Sequence, residues 1–271
     1  MTIPRRALTI AGSDTSGGAG MPADLKTFEE LGVYGLVALT CIVTESPEDW
    51  TVSIHPIGLD TVERQLATIL DGIGVNALKT GMLGSAELVE LVASTIDRYR
   101  LKNVVIDPVL VGKGGDSVLV PDAAAAIREL LVSRCAIITP NTVEAAYLAD
   151  LPEVKTLDDV KESAARIVEL GASAVVVKGG GRIEGNGAVD VFYDGKTFTE
   201  LRGKKLVGAY SHGAGCTFSA AIAAGLANGL ALLDAVKVAK KFVTAALKYS
   251  FALNRFTGYT DHTAFRKHGE G

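Results

Sequence analysis

Short apolar runs alternate along the chain with longer stretches whose apolar residues recur at helical spacing, a pattern that predicts a mostly parallel sheet covered by helices on both faces. Residues 7–11 read as the first strand, with the glycine-rich residues 12–20 as its exit loop. A helix is predicted from near Pro22, which suits a first turn, through Leu25, Phe28 and Leu31 to a stop at Gly32. Residues 34–44 form a second apolar run. Asp60 and Glu63 have the spacing of a capping pair for a helix through Leu66 and Ile69. Residues 77–80 make a short strand ending at Gly81 and Met82, Ser85 caps a helix to Tyr99, and residues 103–106 are a buried strand with Asp107 and Pro108 at its exit. Then come a helix over 121–132, a strand over 136–139, helices from Asn141 and over 157–170, and a strand over 173–177. Runs at 189–193 and 197–201, separated by Asp194 and Gly195, read as a hairpin. Helices from Cys216 and from Leu233 complete the body. The residues after Asn254 show no periodicity and are expected to form a loosely ordered tail.

With 271 residues, 48% of them hydrophobic, the chain can bury a large core, and a single α/β domain over 1–271 is expected. A net charge of −4, with 27 basic against 31 acidic residues and no long run of like charge, offers no footprint for nucleic acid or an anionic membrane. Small-molecule chemistry remains. Cys41, Cys135 and Cys216 are widely spaced and form no CxxC pair, which argues against a disulfide framework or zinc knuckle and for a reducing, cytoplasmic setting. No stretch approaches the roughly 20 apolar residues of a membrane-spanning helix.

In open α/β sheets ligands bind beyond the carboxyl ends of the strands, so the residues at strand exits carry the information. Here they combine glycine with polar groups: Gly12-Ser13-Asp14, Thr80-Gly81-Met82, Asp107-Pro108, Thr139-Pro140-Asn141, Lys178-Gly179-Gly180-Gly181, and Ser211-His212-Gly213-Ala214-Gly215-Cys216. The last is the most telling. Gly213 and Gly215 permit a tight backbone nest, and the apolar run behind them predicts a helix whose first amides face an anion, with Cys216 beside it. A loop that merely joins a strand to a buried helix is the plain alternative.

No G-x-x-x-x-G-K-[ST] is present, which excludes the usual P-loop. Gly18-Ala19-Gly20-Met21-Pro22-Ala23 matches G-x-G-x-x-A and keeps a dinucleotide-binding oxidoreductase as an alternative of another class. Its first glycine, however, lies six positions beyond Gly12, whereas the dinucleotide turn follows its strand directly.

Leu8-Thr9-Ile10-Ala11-Gly12-Ser13-Asp14, Gly17-Gly18-Ala19-Gly20 with Ala23-Asp24-Leu25-Lys26-Thr27-Phe28, Lys79-Thr80-Gly81-Met82, Val105-Ile106-Asp107-Pro108-Val109, Thr139-Pro140-Asn141 with Glu144-Ala145, Lys178-Gly179-Gly180 and His212-Gly213-Ala214-Gly215-Cys216-Thr217 occur in that order. Together they resemble the hydroxymethylpyrimidine (phosphate) kinase branch of the ribokinase-like superfamily, over nearly the whole chain to Phe265. Within that branch the chain looks most like the pyridoxal/pyridoxine kinases of Gram-positive bacteria, whose cysteine replaces an aspartate. The resemblance implies a ribokinase-like three-layer α/β/α sandwich, ATP and Mg²⁺, and a homodimer. It also implies phosphorylation of the hydroxymethyl group of a B6 vitamer, of 4-amino-5-hydroxymethyl-2-methylpyrimidine, or of both. A dedicated thiamine-pathway enzyme that adds two phosphates in succession is the alternative within the class.

Phosphoryl transfer to an alcohol needs alignment, neutralised charge and modest help with one proton. By resemblance, the amides of Gly213, Ala214, Gly215 and Cys216 hold the phosphoryl oxygens and the Cys216 thiol is the base. Asn141, Glu144, Lys178, Gly179, Gly180, Gly181, His212 and Gly213 face ATP, Lys113 lies in a lid, and Glu144 with Asp107 serves Mg²⁺. Gly12, Ser13 and Asp14 form one side of an acceptor slot, with Ala19, Met82 and Val109 as apolar walls. Two positions depart from the pattern. Gly112 stands where the two-cysteine pyridoxal kinases carry a lid cysteine, and Glu45 stands where glutamine or methionine is usual.

Overall fold

The computed structural model describes residues 3–110, 120–184 and 187–268. It divides into two compact units, Met1–Gly84 with Leu206–Gly271, and Ser85–Lys205. The first unit opens with β1 (Arg6–Asp14), α1 (Gly20–Glu30), β2 (Tyr34–Glu45), β3 (Val52–Pro56), α2 (Leu59–Gly72) and β4 (Ala77–Thr80). The second holds α3 (Ala86–Tyr99), β5 (Val104–Ile106), α4 (Pro121–Ala126), β6 (Ile137–Ile138), α5 (Thr142–Ala149), α6 (Leu157–Glu169), β7 (Val175–Lys178), β8 (Ala188–Tyr193) and β9 (Phe198–Gly203). The chain returns to the first unit with α7 (Ala214–Ala227), α8 (Leu232–Lys248), β10 (Phe251–Ala252), β11 (Gly258–Tyr259) and α9 (Ala264–Lys267).

In the first unit the strand order is β3-β2-β1-β4, with β1 parallel to both neighbours and β3 antiparallel at the edge. β1 is buried along nearly its whole length, with α1 and α7 packed against it and against each other, as its continuous apolar run requires. In the second unit the order is β5-β6-β7-β8-β9. The first three strands are parallel, and β8 and β9 form the hairpin predicted around Asp194, whose Oδ1 accepts the amides of Lys196 and Thr197 at 2.9 and 2.7 Å.

Local expectations meet four corrections. β1 continues through Gly12 and Ser13 to Asp14, with a register break between Ala11 and Ser13, so part of the expected exit loop is strand. Asp60 caps nothing: α2 starts after Gly58, and Asp60 pairs instead with Arg64 at 3.1 Å. The helix expected over 121–132 is α4 followed by a π turn, Ile127–Leu131, and a 3-10 turn, Val132–Arg134. The described part of the tail is anchored between residues 259 and 264. Tyr259, Thr260, His262 and Ala264 are buried, and the Asp261 amide is bonded to the Ala246 carbonyl at 3.0 Å.

Candidate active site

In the first unit the exits of β1 and β2 meet the turn before α7. Asp14, buried at the end of β1, accepts the Ser16 amide at 2.8 Å and the Ser16 hydroxyl on Oδ1. Its Oδ2 accepts the Ala19 amide at 3.0 Å and meets His212 Nε2 at 2.8 Å. Burial works to raise the Asp14 carboxyl, but the bonds from His212 and Ser16 outweigh it and hold it below its ordinary value. Glu45, at the end of β2, shows the opposite balance. Burial, the neighbouring Asp14 charge and a hydrogen bond to Asp14 push its carboxyl up to about 6, against a weaker pull from His212. Two adjacent carboxyls are thus driven apart, with Asp14 the ionised one.

Gly213 ends that turn with φ +81°, and a Cβ there would lie 1.8 Å from the Gly18 carbonyl oxygen, so only glycine fits. α7 begins at Ala214, two residues earlier than expected, which makes Cys216 its third residue. Cys216 is half-buried, and its Sγ accepts the Gly20 amide, the first of α1, at 3.4 Å. The positive ends of two helices therefore converge on this sulfur, a field that favours negative charge there. Of the turn's amides, Ala214 is already bonded to the Ser211 carbonyl at 3.1 Å, so the expected set is reduced. That of Gly215 donates to no backbone carbonyl among the described residues, while Gly213 adjoins the parallel bridge between His212 and Tyr259.

The acceptor-side residues gather around the same exits. Gly12 is buried over Cys41, whose Sγ would sit 2.5 Å from a Cβ at position 12, and Cys41 Sγ lies 3.9 Å from Met82 Sδ. Thr40 Oγ1 donates to the Met82 carbonyl at 2.8 Å and holds it against β2. Gly12, Ser13, Asp14, Ala19, Glu45, Met82, His212 and the 213–216 turn all belong to this unit. Beneath them lies a pair that sequence reasoning missed. Lys79 Nζ meets both Asp24 oxygens at 3.0 and 2.9 Å, Thr9 Oγ1 donates to Asp24 Oδ2 at 2.6 Å, and both charged side chains are fully buried. A lysine inside a four-residue strand that is otherwise Ala, Leu and Thr was the available signal.

The second unit gathers Asp107, Val109, Asn141, Glu144, Lys178 and Gly179–Gly181. Asn141 Oδ1 accepts the amides of Val143 and Glu144 at 2.9 and 3.0 Å, and Glu144 Oε2 accepts the Asn141 amide at 2.8 Å, closing a capping box. Glu144 Oε1 accepts the Leu110 amide at 3.1 Å. That bond steadies Val109, a β-branched residue at φ +46°, a strained conformation of the kind stored at functional sites. Lys178 Nζ meets Asp107 Oδ1 at 3.2 Å. Burial dominates the Glu144 carboxyl and raises it, partly opposed by Lys178 and assisted by Asp107. Gly179 and Gly181 are packed by their own chain, a Cβ meeting the Val189 carbonyl oxygen at 2.3 Å and the Lys205 stem at 2.9 Å, so Gly180 alone faces open space. Lys113, Gly112 and the rest of the expected lid lie outside the described residues.

No group of three or more His, Cys, Asp or Glu among the described residues forms a metal cage. Mg²⁺ does not require one, since it is commonly held by one or two carboxylates, water and substrate phosphates. Glu144 suits that use, because a carboxylate has about four lone-pair sites and its bonds to Leu110 and Asn141 take only some of them, and the Asp107 carboxylate lies close enough to act on it electrostatically.

A family model described as phosphomethylpyrimidine kinase matches residues 14–261. The chain is 53% identical over 262 residues to the pyridoxine kinase of Bacillus subtilis (strain 168), covering 96% of this chain and 97% of that one. It is 38% identical over 262 residues to the hydroxymethylpyrimidine/phosphomethylpyrimidine kinase of the same organism, covering 97% and 96%. The solved structure of the pyridoxal kinase from Staphylococcus aureus in complex with AMP-PCP and pyridoxal superposes with a TM-score of 0.93 at 41% identity, covering 98% and 96%. These relatives share the expected α/β fold and are kinases, which sets aside the dinucleotide-binding oxidoreductase. With the family model matching from Asp14 to Asp261 and a relative 53% identical over nearly its whole length, the chain belongs to the phosphomethylpyrimidine kinase family.

Proposed function

We propose that the protein transfers the γ-phosphoryl group of ATP to the hydroxymethyl group of a B6 vitamer, with 4-amino-5-hydroxymethyl-2-methylpyrimidine as a second acceptor. The observation that carries this is the placement of the Cys216 sulfur at two helix N-termini, beside the backbone amides of the glycine turn that opens α7. Developing negative charge on the transferred group is stabilised by those amides and the α7 dipole, with no reorganisation needed at the moment of reaction. The sulfur removes the acceptor hydroxyl proton as the new bond forms. Asp14 holds His212 and the Ala19 amide, which sets one wall of the acceptor slot, and Gly12, Ser13, Glu45 and Met82 of the same unit supply the rest. Lys178, Asn141 and Gly180 face the nucleotide phosphates. Glu144 and Asp107 would hold Mg²⁺, which would neutralise phosphate charge.

The preference for B6 vitamers rests on the identity to the pyridoxine kinase, 53% against 38% for the pyrimidine kinase. Glu45 suits either acceptor, since its carboxylate can accept from the exocyclic amine of the pyrimidine or from the ring hydroxyl of a B6 vitamer. We take the two units to act as one kinase domain, the active form to be a homodimer, and the compartment to be the reducing cytoplasm that keeps all three cysteines as thiols. A coupled ADP-release assay with pyridoxal, pyridoxine, the pyrimidine alcohol and its monophosphate tests the assignment. Turnover of the B6 vitamers is the expected result. Turnover confined to the two pyrimidines would replace it with the dedicated thiamine-pathway enzyme. Sedimentation equilibrium tests the dimer.

A further inference from the structure

The C-terminal segment from Gly258 to Ala264 folds beneath the glycine turn. Tyr259 forms an isolated parallel bridge with His212, its ring stands edge-on to the imidazole at 5.0 Å, and it fills the space that a Cβ at Gly18 would need, 1.7 Å from Cδ1. Three residues on, His262 is 6% exposed and its Nε2 lies 3.0 Å from Thr217 Oγ1. Thr217 follows Cys216 directly, and its Oγ1 lies 2.8 Å from the Gly213 carbonyl oxygen, which also accepts the Thr217 amide at 2.9 Å.

A carbonyl can only accept, so the single hydroxyl proton of Thr217 goes to Gly213, and His262 Nε2 must then carry the proton donated to Thr217. A threonine bonded to the carbonyl four residues back is common in helices and by itself says little. What is added here is a buried imidazole that fixes the hydroxyl's orientation and strengthens the bond by polarising it. Both lone pairs of the Gly213 oxygen are then occupied. The peptide that opens α7 is locked, with the directions of the amides that follow it.

We infer that His262 is a positioning residue for phosphoryl transfer, acting through Thr217 on the Gly213 carbonyl to hold the amide nest in its productive orientation. Burial, reinforced by the nearby Lys26 and opposed by Asp261 and Glu30, lowers the imidazole to about 4 and leaves it neutral at physiological pH, as a single-proton donor requires. Because this rests on the kinase reading, its first test is independent of turnover. In full-length protein labelled with ¹⁵N-histidine, the His262 resonances, assigned by their loss in His262→Gln, are expected to report a neutral ring protonated at Nε2. Protonation at Nδ1 overturns the inference.

The second test is kinetic. His262→Ala and Thr217→Val are each expected to lower kcat about ten-fold while the KM values for ATP and pyridoxine move much less. The double variant should fall no further than the worse single one, because both break the same chain. His262→Gln, which keeps a donor at that reach, should recover most of kcat. Losses that multiply in the double variant, or a full kcat in folded Thr217→Val, overturn the inference. If His262→Ala does not fold, the contrast between His262→Gln and Thr217→Val decides. Wild-type protein inactive on every acceptor would instead count against the kinase reading and leave the tautomer to judge His262.

Discussion

His212 and Asp14 stand 198 positions apart in the chain, and their side chains meet at 2.8 Å. The contact ties the exit of β1 to the turn before α7, so the acceptor side and the amide nest are held in register by one charged hydrogen bond. Such bonds are short and roughly twice as strong as neutral ones, which suits a joint that must not drift.

Glu45 makes this corner sensitive to pH. Its carboxyl is raised to about 6, so in the folded protein it is protonated below that value and ionised above it. Only the ionised form accepts from an amine on both oxygens. The KM for the pyrimidine alcohol is therefore expected to fall as pH rises through about 6, and the profile of Glu45→Gln to be flat across the same range. A wild-type profile without that inflection would remove Glu45 from the acceptor site.

Replacing Cys216 by alanine removes the proposed base and the acceptor of the Gly20 amide, while the helix start keeps its backbone bonds. The variant is expected to fold and to lose about 10²-fold in kcat, with KM nearly unchanged. Stopped-flow or coupled assays measure this, and full activity in the alanine variant would exclude the sulfur as base.

Glu144 has two roles that one variant can separate. Its capping-box bond and its bond to Leu110 contribute to stability, whose loss in Glu144→Ala is expected to cost about 1–2 kcal/mol in urea unfolding. With its charge in the proposed role of holding Mg²⁺, the half-saturating Mg²⁺ concentration in the same variant is expected to rise about ten-fold. A stability loss with unchanged metal dependence would make Glu144 a cap alone.

The Asp24–Lys79 pair lies wholly out of water. Removing one partner strands the other charge, and Asp24→Leu or Lys79→Met is expected to cost about 3–5 kcal/mol. Replacing both together should cost much less, because no uncompensated charge remains. Denaturant midpoints of the three variants provide the check, and additive losses would show that the pairing itself matters little.

Acid should weaken the fold through His262. Its imidazole falls from 6.5 unfolded to about 4 folded, so the unfolded chain takes up a proton first as pH drops between those values. The stability is fully present above pH 6.5 and about 3 kcal/mol of it is lost by the lower limit, at 1.36 kcal/mol per unit. Urea midpoints measured across this range for wild type and His262→Gln should converge toward acid. Parallel curves would mean that His262 is not the group responsible.

What was legible without coordinates follows from short-range physics. The strand runs at 7–11 and 103–106, the Ser85 and Asn141 helix starts and the Asp194-Gly195 hairpin were all readable, because apolar spacing, capping oxygens and turn residues act within a few positions. The glycine turn at 213 was readable for the same reason. Tertiary packing decided the rest. Asp60 has the right spacing for a cap yet pairs with Arg64, since Gly58 opens α2 and leaves no amide for it to serve. β3 is exposed along its length and has no buried face to betray it, so only pairing with β2 makes it a strand. Lys79 finds Asp24 from 55 positions away, and His262 reaches Thr217 from 45. No periodicity encodes such meetings. They exist because packing the helices on the strands brings distant side chains into one dry volume, where a polar group must find a partner or bear the cost of its own desolvation.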